Sequence, residues 1–180
     1  MPPLPAPLGA ALAATGFLAA WFDWRYRRLP NWLTLSAFLL GLGLQVRLAG
    51  LNGLWQGLAG AGLALLIHVP LYALRAVGGG DVKLMAAVGA IAGPPAWLVL
   101  FVLNALAGGA AALAMVVWTG RLPATLANIG VIFRELAALR PPHRAKPDLD
   151  VYSGAGLRLP RGVVMGVSIA TYLVARTLGG

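Results

Sequence analysis

The 180-residue sequence predicts an all-α, polytopic membrane protein with about six transmembrane helices. Three observations carry that expectation. Hydrophobic residues make up 59% of the chain and the mean hydropathy is +0.81. Charged residues make up only 11%, where a soluble domain carries about 25%. The apolar residues also fall in uncharged runs, at 1–22, 29–46, 48–74, 84–120 and 162–175, and a spanning helix needs roughly 20 such residues.

Each span follows from these runs. The first covers about 7–22, and the N-terminus lacks the basic region of a cleavable signal peptide, so this span is retained. After the polar stretch WFDWRYRRLPN, spans two and three cover about 32–48 and 54–74. The run 84–120 is too long for one crossing, and AGPPAW is expected to break it at Pro94 and Pro95 into spans of about 82–93 and 96–118. Residues 119–158 form a polar loop in which TLANIGVIFRELAAL reads as an amphipathic interfacial helix. The sixth span, about 160–178, has Arg161 and Arg176 at its flanks, long side chains expected to snorkel to the headgroups. The whole chain, 1–180, is read as one membrane-embedded domain.

The net charge of +9 raises nucleic acid as a partner, but no aromatic–basic platform or nucleic-acid fold signature accompanies it. Twelve of the 14 basic residues fall in three alternate loops, at 23–31, 75–83 and 119–161, leaving only Arg47 and Arg176 elsewhere. The positive-inside rule then puts those loops in the cytoplasm and both termini outside, with the lipid bilayer as the partner that the basic residues address. The absence of cysteine excludes disulfides and thiolate metal sites.

Of the five acidic residues, Glu135, Asp148 and Asp150 lie in the polar loop. The other two, Asp23 at the end of span one and Asp81 at the start of span four, come to the same membrane depth by parity alone. Two carboxylates in a poorly solvated site share a proton, so one is poised as base and the other as acid. Such a pair can activate water and protonate a leaving amine. Gly78, Gly79 and Gly80 are expected to supply backbone angles closed to other residues and a close approach for a substrate strand, with little tolerance at Gly80 and more at Gly60. Spacing alone leaves an alternative open: Asp81 as a helix cap, Lys83 as a cytoplasmic anchor and Asp23 as countercharge to the arginines of 25–28.

GGGDVKLM resembles the G-x-G-D-x-K motif of the type IV prepilin peptidases, the bacterial GxGD aspartyl membrane proteases. DWRYRRLPNWLT is similar to that family's first-aspartate motif, an aspartate followed by basic residues and Pro-Asn, and RLPRGVVMGVSIA is similar to the Pro-x-Gly segment that opens its last span. The resemblance covers most of 20–118 and 156–175. It implies Asp23 and Asp81 as catalytic aspartates, with Gly78, Gly80, Lys83, Arg25, Arg28, Pro30 and Asn31 in companion positions. It also implies an inner-membrane aspartyl endopeptidase that removes the cytoplasmic leader of prepilins, with no metal or organic cofactor. Within the family the chain looks like the short form that serves Flp or tight-adherence pili, without the cysteine-bearing extension of the bifunctional form.

Remaining polar residues are given plainer roles. His68 and Asn104 are expected to hydrogen-bond between helices, His143 to be solvated, and Met85, Met115 and Met165 to fill the core. GLWQG at 53–57 and GAIAG at 89–93 permit close helix packing, or pairing of two copies. A transporter or channel subunit is the rival function, with the aspartates binding a cation or relaying protons, and a structural assembly subunit is a third.

Overall fold

The computed structural model describes residues 4–138, 145 and 160–178. His143 and most of the polar loop after residue 138 lie outside the described residues. Within them the chain is all-helical: α1 (Ala6–Tyr26), α2 (Asn31–Ala73), α3 (Gly79–Trp118), α4 (Leu122–Ala137) and α5 (Arg161–Leu178). Among these, α1, α2 and α3 are long and apolar enough to cross a membrane.

Two of the three are broken. Within α2 the backbone leaves helical angles at Ala49 (φ −138°, ψ 16°) and Gly50 (φ 58°, ψ −138°). The chain reverses there, because Gly53 comes back against the Gln45 carbonyl and Gly57 against Leu42. Within α3 the break is Gly93, at φ 70° and ψ 170°. The sequence reading put that break on Pro94 and Pro95, and the structure moves it one residue back. Pro94 and Pro95 instead open the second half of α3, where a missing N–H leaves no helical bond unmade. Trp97 Nε1 then donates back to the Met85 carbonyl at 3.2 Å, tying the two halves together.

The first half of α3 is the centre of the molecule. Every residue from Leu84 to Gly93 is buried, held mainly by both halves of α2 and also by α1 and α5. Glycine makes this closeness possible at Gly60 and Gly89, whose backbones meet with no room for a Cβ on either. Gly60 was expected to tolerate a side chain, and the structure reverses that. Gln45 Nε2 adds a bond to the Ile91 carbonyl at 3.0 Å. The GAIAG glycine at 89 therefore serves packing within the chain. A second seam joins α1 to α5 antiparallel, with Gly16 against Ile169 and Gly162 against the Ala19 carbonyl.

Outside this core the surface stays apolar. Phe17, Leu39, Leu66, Leu106 and Val117 are all exposed, as lipid-facing side chains of a membrane protein are. α4 forms the amphipathic helix expected after residue 119.

Candidate active site

α1 runs to Tyr26, so Asp23 sits in its last turn, and Arg27 ends the helix in a left-handed conformation (φ 53°) with its N–H on the Asp23 carbonyl at 3.0 Å. Asp81 sits in the first turn of α3, the buried central helix, behind the glycine run. The two carboxylates come from different helices, yet both end on consecutive residues at the start of α5.

The start of α5 reaches both. The Gly162 N–H donates to Asp23 Oδ2 at 2.7 Å. Its neighbour Arg161 donates through Nη1 to Asp81 Oδ2 at 2.8 Å and through Nη2 to the Ala76 carbonyl at 3.2 Å. Unpartnered N–H groups at a helix start favour an anion, which explains why a carboxylate settles there. Gly162 has to be glycine for a steric reason too, since a Cβ would stand 2.6 Å from both the Ala19 oxygen and the Asp23 Cβ. Arg161 was expected to snorkel at the flank of the last span. The structure turns it inward onto Asp81 instead, because a carboxylate and a carbonyl stand within reach of its fork.

The other expected site residues divide. Lys83 Nζ donates to Asn31 Oδ1 at 2.9 Å, so the two companion positions are joined to one another. Pro30 caps the start of α2 with an extended backbone (φ −68°, ψ 139°), which sets Asn31 at its first turn. Arg25 lies over the Tyr26 ring at 5.5 Å and Arg28 is exposed. Among the described residues neither makes an ion pair with Asp23 or Asp81, and Arg27 is the arginine whose charge acts on Asp23. The glycines do not take unusual angles. Gly78 is extended at φ −81° and ψ 153°, and its N–H approaches Asp81 Oδ2 at 3.4 Å, a weak version of the capping role. A Cβ on Gly80 would meet only Leu29, at 3.5 Å. What these glycines supply is thinness at the mouth of the site.

Beside Asp81 and Arg161 opens a cavity of about 380 Å³ that His68 and Asn104 also line. Neither of these two plays its expected interhelical part: His68 Nδ1 donates within its own helix to the Ala64 carbonyl at 2.9 Å, and Asn104 Oδ1 is buried without a partner. Met85 and Met165 fill the core as expected.

Sequence reasoning singled out RLPRGVVMGVSIA as the opening of a span but missed Arg161 and Gly162 as site residues. A cation directly before a glycine, at the start of a segment whose depth by parity matches that of Asp23 and Asp81, was the signal. No curated protein and no solved structure matches the chain. The family model described as the type IV leader peptidase family matches residues 10–113, which hold Asp23, Asp81 and the whole of α2. This chain belongs to the type IV leader peptidase family, a family of membrane proteases.

Proposed function

We propose that the protein is an aspartyl endopeptidase that removes the cytoplasmic leader from Flp-like prepilins, with Asp23 and Asp81 as its acid–base pair. The observation that carries this reading is the meeting of the two carboxylates on consecutive residues at the start of α5, Asp81 on Arg161 and Asp23 on Gly162. Two such groups can divide the work of hydrolysis. One takes the proton of a water as it attacks the peptide carbonyl, and the other protonates the departing nitrogen. Gly162 would hold Asp23 in orientation, and Arg161 would hold Asp81. The Lys83–Asn31 bond would brace the start of α3 against the start of α2.

In this reading the chain crosses the inner membrane six times: once in α1, twice in each of the broken helices α2 and α3, and once in α5. The site then faces the cytoplasm. Trp21, Trp24, Trp32, Tyr72 and Trp118 are exposed near the ends of the helices that carry or flank the aspartates, and such rings favour the membrane–water interface. A single-span pilin with a basic leader presents its leader–helix junction at that level. Pairing of two copies along the outer faces would be compatible with this arrangement.

The test is co-expression with a candidate prepilin. Asp23→Asn and Asp81→Asn should each abolish leader removal while the protein inserts and accumulates as before. Substantial cleavage by either stable variant would dismiss the pair.

A further inference from the structure

The cavity beside Asp81 has a chemistry that the two aspartates do not use. Its volume of about 380 Å³ falls in the range of sites that hold a small ligand. Leu84, Met85 and Met165 make part of its wall apolar. Two polar side chains, Asn104 and His68, also belong to its wall. Asn104 Oδ1 is fully buried and has no partner, which costs stability unless something completes it. His68 spends its Nδ1–H on Ala64, and in the neutral ring the remaining nitrogen is then an acceptor. The complement of such a site is an apolar body that carries free N–H groups.

Resting on the peptidase reading above, we propose that this cavity receives the first residues on the apolar side of the scissile bond, the incipient helical turn of the substrate. The first turn of any helix has N–H groups without intrahelical partners, and inside a bilayer water is not there to meet them. Asn104 and His68 meet them. The basic leader is the worse fit, because Arg161 borders the cavity and Lys83 stands in the same helical turn as Asp81. Entry is sideways from the bilayer. At Gly109, on the cavity wall, a Cβ would find nothing within 4 Å, so the wall is open there.

The experiment uses the full-length enzyme in lipid nanodiscs and a full-length prepilin. Asn104→Leu should raise KM about tenfold with kcat within about twofold, the signature of lost ground-state binding, and Asn104→Gln should restore most of it. Ala112→Phe, which fills the cavity, should raise KM further. Independently, a photo-crosslinker at Ala112 in the Asp81→Asn enzyme should capture the substrate within its first turn after the cleaved bond. Unchanged KM in both Asn104→Leu and Ala112→Phe, or crosslinks confined to the leader, would overturn the assignment while leaving the aspartate pair intact. Cleavage by Asp81→Asn would instead overturn the peptidase reading, and this proposal with it.

Discussion

Two adjacent residues, Arg161 and Gly162, decide how the carboxylates are held. Arg161 is 43% exposed and Asp81 22%, so their ion pair is worth only about 0.2–1 kcal/mol to folding. Its value lies in aim. Arg161→Ala should leave accumulation and thermal stability nearly unchanged while lowering cleavage about tenfold, and Arg161→Lys should recover little, because an ammonium cannot bridge Asp81 and Ala76 as a planar fork does. A normal rate for Arg161→Ala would show that Asp81 is held well enough by the glycine turn. Gly162→Ala is the harsher change. Its Cβ collides with Ala19 and Asp23, so both cleavage and the melting temperature should fall. At this scale the sequence marks Asp23 and Asp81 as candidates, because acidic residues are rare in the chain. It does not show which cation pairs with which anion. Arg25, Arg27, Arg28, Arg75, Lys83 and Arg161 all lie in the turns and helix ends around the site, and only the packing of α5 selects Arg161.

Among the elements, the buried half of α3 depends on backbone contact with α2. Gly60→Val should abolish accumulation or lower the melting temperature steeply, since overpacking costs about 1–3 kcal/mol even where side chains can yield, and here the obstacle is the Gly89 carbonyl. Gly80→Ala, by contrast, should fold normally. Equal stability of the two variants, compared by thermal unfolding in detergent, would contradict the packing described here. Gly93→Ala should also destabilise, by about 1–3 kcal/mol, because φ 70° with ψ 170° is open essentially to glycine alone. Composition made the helices and their approximate ends legible, including the amphipathic α4. It did not make their contacts legible. A glycine facing lipid and a glycine facing another backbone are the same letter, and the proline pair drew the eye one residue past the true break.

For the molecule as a whole, the six-crossing arrangement proposed above sets the breaks at 49–50 and Gly93 at the end opposite the turns at 27–30 and 74–78. Single cysteines at Asn52 and at Arg121 should therefore react with an impermeant thiol reagent from opposite sides of the membrane. Labelling from one side would undo the six-crossing arrangement and the shared depth of the aspartates together. The expected sidedness rests on charge counts, which are global and insensitive to packing detail. The cavity was not readable, since it is a space among α2, α3 and α5 that no single stretch of sequence encodes.

The two carboxylates reach α5 from segments separated from it by 80 and 139 positions along the chain. During synthesis the ribosome must pass Gly162 before anything exists to hold Asp23 and Asp81 in register. Up to that moment the nascent protein has its acids but lacks the piece that orders them. On the proposed reading, activity follows the packing of α5, the helix that brings Arg161 and Gly162 to the acids.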